Sequence, residues 1–268
     1  MAETNIERRV NMDGLRDLAE EAGALALQLC RNMNAGFKAD SSYVTDVDRG
    51  VEDLIRTRLM RDYPDFGFLG EETGRSGATD GPLWAVDPID GTTNLVFGIP
   101  FWCVSIGLIA DGVAVAGAIS APRLNTLWSA RRGDGAWQGG ERFSAHGRTT
   151  LHVEDTVGFT SAAIKNLDTG AMRGRIRCLG SIALDLVYAA TGSLTALVGL
   201  REGAYDMAAA LCIAAEAGCI AEYLGGGSLD LERILAEGAT HAPFIVAPPE
   251  TVATLRSVLV ERPGPFRP

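Results

Sequence analysis

Apolar and polar positions along the chain follow first a helical and then a strand rhythm. Leu15, Leu18, Ala22, Leu25 and Leu29 recur at helical spacing, which predicts an amphipathic helix over residues 13 to about 33 with Asp13 placed to cap its start. A polar, turn-rich stretch (38–48) leads into a second such helix carrying Val51, Leu54, Ile55 and Leu59, capped by Thr45 or Asp46 and ending before Pro64. A short apolar segment from Phe66 ends in Glu71-Glu72, and residues 83–86 read as a buried strand. Beyond Asn94 the pattern predicts an antiparallel meander: strands over 102–110, 113–121 and 126–130, with turns at Asp111-Gly112 and Gly133-Asp134-Gly135 ahead of Trp137. Gly139-Gly140 and the polar residues up to Arg148 read as a connection, which sets a domain boundary near residue 150.

After that boundary strands and helices alternate. Strands are expected over 157–160, 175–179, 194–198, 219–224 and 244–247. Helices are expected from about 166, over 181–191 with Gly192 as terminator, over 204–217, and from 250 onward. The chain thus divides into an N-terminal α+β half (1–150) with an antiparallel sheet and a C-terminal α/β half (151–268).

The most informative string is Asp87-Pro88-Ile89-Asp90-Gly91-Thr92-Thr93-Asn94. Pro88 has no N–H to give a ladder, so the chain is expected to leave the sheet just after Asp87, with Asp87 and Asp90 at the sheet's mouth. Like charges held this close repel unless a cation lies between them, and hard oxygen ligands select Mg²⁺, Mn²⁺ or Ca²⁺. Gly91 lets the backbone approach a ligand, and Thr92 or Thr93 can cap a following helix whose free N–H groups face an anion. A metal beside a helix N-terminus points to phosphate. Glu71, at a strand-to-turn boundary, can bring a third carboxylate to the same cation. Asp48 is placed as a favourable charge in the first turn of its helix. Asp206, opening a helix of small residues, is either a cap or a ligand, and capping is the commoner use of Asp there.

Length and charge narrow the function classes. With 34 acidic and 24 basic residues among 268, the formal net charge is −10. That leaves no electrostatic footprint for nucleic acid or for an anionic membrane surface. The longest uncharged apolar stretch, near 101–110, is too short to span a bilayer, and the polar first ten residues lack a signal peptide's apolar core, so a cytoplasmic enzyme is expected. Cys30, Cys103, Cys178, Cys212 and Cys219 form no CxxC pair and lie in apolar patterns, as reduced core residues do. His146, His152 and His241 are not spaced as metal ligands.

Taken in order, Val44-Thr45 with Asp48, Gly70-Glu71-Glu72, the Asp87 to Thr92 string, Tyr205-Asp206 and Glu216-Ala217-Gly218 resemble the inositol monophosphatase family of metal-dependent, lithium-sensitive phosphatases, over nearly the whole chain. The resemblance implies a layered αβαβα sandwich with the site between its halves, a homodimer, and a small phosphorylated substrate. It implies that Glu71, Asp87 and the Ile89 carbonyl hold one Mg²⁺, that Asp87, Asp90 and Asp206 hold a second, and that a weaker third lies near Glu71, with Mn²⁺ as a substitute. It therefore favours the ligand role for Asp206. It also implies a catalytic group of Asp48, Thr92 and Glu71, in which Thr92, tied to Asp48, orients the attacking water, while the N–H groups of Gly91 and Thr92 hold phosphate oxygens.

Ile89 and Thr92-Thr93-Asn94 resemble the inositol and histidinol phosphatase branches, which implies a small polyol or sugar monophosphate as substrate. Residues 120–137 also resemble histidinol-phosphate phosphatases, the alternative activity, and a regulatory protein-binding role is known for some bacterial members. Asp90 and the segment Gly180-Ser181-Ile182 match positions that face the substrate. The chain departs from the pattern in two places. Gly199 stands seven residues before Asp206, where a substrate-binding glutamate is usual, and Tyr205 replaces the usual Trp. Arg201 or Glu202 is then expected to supply the missing contact.

Overall fold

The computed structural model describes residues 6–38, 43–264 and 266. The first five residues, part of the polar start, and 39–42, part of the stretch leading to Asp48, lie outside them.

The chain runs through β1 (Ala35–Phe37) and β2 (Tyr43–Thr45), β3 (Gly67–Gly70) and β4 (Gly74–Gly77), β5 (Leu83–Asp90), β6 (Cys103–Ala110), β7 (Val113–Ala121), β8 (Thr126–Arg131), β9 (Gly135–Gln138) and β10 (Glu141–Phe143). The second half adds β11 (Thr156–Phe159), β12 (Leu167–Asp168), β13 (Arg175–Arg177), β14 (Ala196–Gly199), β15 (Ile220–Tyr223), β16 (Phe244–Ala247) and β17 (Val260–Glu261). The helices are α1 (Met12–Leu29), α2 (Asp46–Asp62), α3 (Thr92–Val96), α4 (Ser161–Asn166), α5 (Ile182–Thr191), α6 (Ala204–Glu216), α7 (Leu231–Glu237) and α8 (Pro249–Arg256).

An eight-stranded sheet of order β10-β9-β8-β7-β6-β5-β3-β4 and a five-stranded sheet of order β13-β11-β14-β16-β15 are stacked with helices between and outside them. The strand period assigns each side chain to a layer. On β5, Trp84 and Val86 join α1 and α2 in the outer core, while Ala85 faces α5 and α6. On β14 and β16, Leu197, Phe244 and Val246 face the central helices, while Val198, Ile245 and Ala247 face the outer core that includes Val252 and Leu255 of α8. The result is the αβαβα sandwich. Trp128 and Ile119 of the large sheet share one core with Met207 and Ile213 of α6, so side chains from both halves of the chain are packed together.

Several elements differ from the pattern's expectation. Asn11 caps α1 by accepting from Gly14 N–H, and Asp13 lies two residues on in the first turn, paired with Arg16. Strand β5 continues through Pro88 to Asp90, because a register shift between Asp87 and Asp90 absorbs the missing N–H. Residues 141–143 form the edge strand β10, which tolerates charge that a central strand does not. Helix α4 ends at Asn166, where a helix was expected to begin, and α7, capped by Asp230 and closed by Gly238, lies in a stretch where none was expected. Cys103, Cys212 and Cys219 are buried as expected, but Cys30 is only half-buried and Cys178 is exposed.

Candidate active site

Thr45 and Asp48 close the start of α2 reciprocally. The Thr45 hydroxyl accepts from Val47 and Asp48 N–H, and Asp48 Oδ2 accepts from Thr45 N–H at 2.7 Å. Capping uses only one of the two Asp48 oxygens. Oδ1 receives the Thr92 hydroxyl at 3.0 Å, and Asp48 is 0% exposed. Asp48 is therefore a first-turn charge and also a partner of Thr92. Thr92 does not cap α3. That position belongs to Gly91 at φ 97°, and the Thr92 hydroxyl is also within 3.0 Å of the Ile89 carbonyl.

The bulge in β5 places Asp87 and Asp90 on one buried wall, 2% and 6% exposed. Asp87 Oδ1 accepts from Ile89 N–H at 2.9 Å. Asp90 is tied across to the second half: its Oδ2 accepts from the Ser181 hydroxyl at 2.5 Å and Ala183 N–H at 2.7 Å, and its Oδ1 from Ile182 N–H at 3.3 Å. Ser181 also caps α5. Ser181 and Ile182 are buried, and of the segment expected to face a substrate Gly180 alone is exposed. Asn94 holds that segment in place, giving its amide hydrogens to the Phe101 and Leu179 carbonyls.

Glu71 and Glu72 form the turn between β3 and β4, and Lys38 bridges both, reaching Glu71 Oε1 at 2.7 Å and Glu72 Oε1 at 2.5 Å. These two acids raise the Lys38 pKa despite its partial burial. Beneath the turn lies Glu52 of α2, 0% exposed, whose carboxylate accepts from Glu72 N–H at 2.8 Å and Thr73 N–H at 2.9 Å. Neither Lys38 nor Glu52 stands out in the sequence. Their partners lie 33 and 20 residues away, and Glu52 occupies an ordinary helical position.

Asp206 lies at the start of α6, but Gly203 is the cap residue. Asp206 Oδ2 accepts from Gly203 N–H at 2.6 Å. Glu216, at the other end of α6, pins the Gly133 to Gly135 turn by accepting from both N–H groups. Arg201, at φ 65°, is exposed and stacks its guanidinium on Phe266 at 4.7 Å. Glu202 beside it is half-buried and accepts from Thr160.

The electrostatics of the cluster are one-sided. Burial, then Glu71, Asp90 and Asp206, push the Asp87 carboxyl well above the usual range. Burial raises Asp90 to about 6 against the hydrogen bonds that lower it, and Asp206 is raised by burial, then by Glu202, Asp90 and Glu71. Among the described residues, no three His, Cys, Asp or Glu side chains converge as a ready-made coordination shell. Each carboxylate accepts from a donor of the chain: Asp87 from Ile89, Asp90 from Ser181 and Ala183, Asp206 from Gly203, and Glu71 from Lys38. The donor chemistry fits a hard divalent cation. Four acids with hard oxygens repel one another in a desolvated wall, and such a cation removes that repulsion.

Residues 11–255 match the model of the Inositol monophosphatase family. The chain is 34% identical over 237 residues to inositol-1-monophosphatase of Mesorhizobium japonicum, covering 83% of this chain and 86% of that protein. It is 39% identical over 201 residues to histidinol-phosphatase of Mycobacterium tuberculosis, covering 73% and 75%. Its fold matches the crystal structure of extragenic suppressor protein suhB from Bartonella henselae with a TM-score of 0.80 at 29% identity, covering 92% of this chain and 97% of that one. This chain, with its acid wall from β5 closed by α5 and α6, belongs to the inositol monophosphatase family.

Proposed function

We propose that the chain hydrolyses the phosphate monoester of a small alcohol in a Mg²⁺-dependent reaction at the wall formed by Glu71, Asp87, the Ile89 carbonyl, Asp90 and Asp206. The observation that carries this reading is the joint placement of the Asp87–Asp90 bulge and the Thr92–Asp48 hydrogen bond on either side of Gly91. Two or three Mg²⁺, or Mn²⁺ in their place, held by those oxygens would supply Lewis acidity that lowers a water's pKa and offsets phosphate charge.

The chain's own residues do the rest. The N–H groups of Gly91 and Thr92 head α3, where first-turn donors have no partner within the helix, and they bind phosphate oxygens. The Thr92 hydroxyl accepts the attacking water's proton while passing its own to Asp48 Oδ1, and Glu71 helps to orient that water. The departing alkoxide takes a proton from solvent. Gly91 abuts the carbonyl of Gly180 and the Cβ of Ser181, so the alcohol part of the substrate would meet the Gly180-Ser181-Ile182 segment at exposed Gly180, with Ser181, Ile182 and Asp90 behind it.

Two substrates are supported. Inositol-1-phosphate or a similar polyol or sugar phosphate follows from the Mesorhizobium relative, and histidinol phosphate from the mycobacterial one. The unpaired cysteines support a cytoplasmic setting, and among the described residues no helix is long and apolar enough to cross a membrane. Family membership supports a homodimer and inhibition by Li⁺.

The test is phosphate release from inositol phosphates, histidinol phosphate, fructose bisphosphate, phosphoadenosine phosphate and sugar phosphates, with and without Mg²⁺ and Li⁺. Asp90→Asn and Asp206→Asn are expected to lower kcat/KM by about 100-fold or more at limiting Mg²⁺ with the fold retained by circular dichroism. Wild-type activity in either variant overturns the metal assignment. Release from none of the substrates favours the regulatory, protein-binding role.

A further inference from the structure

We infer that the outer face of β8, β9 and β10 carries a second binding site, sharing no residue with the acid wall, for a small organic phosphate that bears a flat ring. The inference does not rest on the phosphatase reading above.

Strand alternation builds this face. Trp128, Ala130 and Ala136 point inward to the core shared with α5 and α6, so Leu127, Ser129, Arg131 and Trp137 point outward. Register sets Ser129 opposite Trp137, Trp137 opposite Arg142, and Arg131 opposite Gly135, which brings Arg142 to the same face. Helix α1 lies on that side against β6, β7 and β8, and its first turns form the facing wall of a cleft of about 830 Å³. Small-molecule sites commonly enclose roughly 300–1,000 Å³.

Three guanidinium groups line the cleft, from Arg16, Arg131 and Arg142. Arg16 pairs with Asp13 and reaches Ser129 Oγ at 3.5 Å, while Arg131 gives Nε to Asp134 Oδ2 at 2.6 Å and Nη1 to the Val10 carbonyl at 3.4 Å. Asp13 and Asp134 are the acids facing the cleft, and each is engaged by one of these arginines. Arg142 makes no ion pair or hydrogen bond among the described residues. Its guanidinium lies over Gly135, where a Cβ would fall 2.3 Å from Nε. The turn that seats it is fixed, because Glu216 accepts from Gly133 N–H at 2.9 Å and Gly135 N–H at 2.7 Å.

Three positive charges against two negative ones thus gather around one cavity in a chain of net charge −10. Planar guanidinium forks match phosphate oxygens, and a dianion among them removes their mutual repulsion. Trp137 adds the second part of the ligand. Its indole N–H is committed to the Asp134 carbonyl at 3.1 Å, and the side chain is 36% exposed in the cleft, so a ring face is left for a flat group. The adjoining cleft, which shares Leu127 and Arg142, carries Glu20 and Glu141, so the anion belongs at the arginine end.

The experiment titrates the full chain calorimetrically with phenylphosphonate, whose C–P bond is not a phosphate ester, and with its ringless counterpart methylphosphonate, both with and without Mg²⁺. One phenylphosphonate per chain is expected to bind without Mg²⁺, and methylphosphonate about fivefold more weakly. Arg142→Gln should weaken both probes about tenfold or more in either condition, and Arg142→Lys should keep part of the affinity. Trp137→Leu should bring phenylphosphonate down to the methylphosphonate level, and the comparison of the two probes on the wild type decides that point if the variant does not fold. Absence of binding at about 10 mM probe, or equal binding to the wild type and Arg142→Gln, overturns the site. Equal affinity for the two probes overturns the ring-bearing ligand. A fall in oligomer mass in Arg142→Gln by light scattering makes the face a contact between copies of the chain and also overturns the site.

Discussion

Glu52 touches no ligand, yet the position of Glu71 depends on it. Its two carboxylate oxygens each satisfy one N–H of the turn that follows β3, and that turn carries the two glutamates gripped by Lys38. Glu52→Gln keeps the size but turns one acceptor into a donor facing an N–H, leaving a buried donor unsatisfied at a cost of about 2 kcal/mol, or roughly 4–8 °C in Tm. The half-saturating Mg²⁺ concentration is expected to rise several-fold, with kcat recovered at high Mg²⁺. Thermal melts and a Mg²⁺ titration check this, and a variant that melts like the wild type with unchanged Mg²⁺ dependence removes Glu52 from the site. Asp87 and Asp90 are legible in the sequence because their relation is local, two acids bracketing a proline. Glu52 and Lys38 are not, because what makes them part of the site is a contact across the fold. Arg201 misleads for a related reason: its charge suggests a ligand contact, while its backbone at φ 65° carries the side chain out to Phe266.

At the scale of elements, α6 does two jobs, packing on the large sheet and carrying Asp206 into the acid wall. It lies close enough to β6 and β7 that a Cβ on Gly107 would collide with Ala208 and Ala209, and one on Gly117 would come within 2.6 Å of Ala209 Cα. Backbone cannot yield as a side-chain tip can. Gly117→Ala is therefore expected to lift α6 from the sheet, costing about 1–3 kcal/mol and weakening Mg²⁺ binding through displacement of Asp206. A melt combined with a Mg²⁺ titration separates the two effects, and a variant with lowered Tm but unchanged Mg²⁺ dependence shows that Asp206 is positioned by Gly203 alone. The helix itself is readable from its small apolar residues, and α5 from Ser181 and Gly192 at its ends. The pattern ends strand β5 too early because Pro88 breaks a regular ladder, whereas a bulge keeps the strand going and brings Asp90 round to Ser181. The charged residues of β10 mask an edge strand, where sequence pattern is weakest.

For the whole molecule, the acid wall links stability to pH and to metal. The layered architecture follows from the alternation of strands and helices together with the family resemblance. The depth at which the acids lie does not, because burial depends on α5 and α6 closing over β5. Asp90 at about 6 and Asp185 at about 8 are both raised above their ordinary 3.8, burial being the main cause in each. The native chain then keeps protons that the unfolded chain releases above about pH 4. Their contribution to stability is full below that pH and is lost as pH rises, through 6 for Asp90 and through 8 for Asp185. Without metal, Tm is expected to fall steadily from pH 5 to pH 8.5. Mg²⁺ held by the proposed ligands would offset the part due to them, so the Tm gain from Mg²⁺ should be larger at pH 8 than at pH 5.5. Asp185 is outside the metal set, so a slope near pH 8 should remain in the loaded protein. Asp185→Asn keeps the acceptor for Leu179 N–H and removes the ionisation, so in Mg²⁺ its Tm should fall less steeply than wild type between pH 7 and 9, Glu202 supplying the remainder, and lie higher than wild type at the upper end. If the variant retained the wild-type slope, the residual pH dependence would belong to another group, and Glu202, the remaining acid raised to about 8 on the same wall, would be the next to replace.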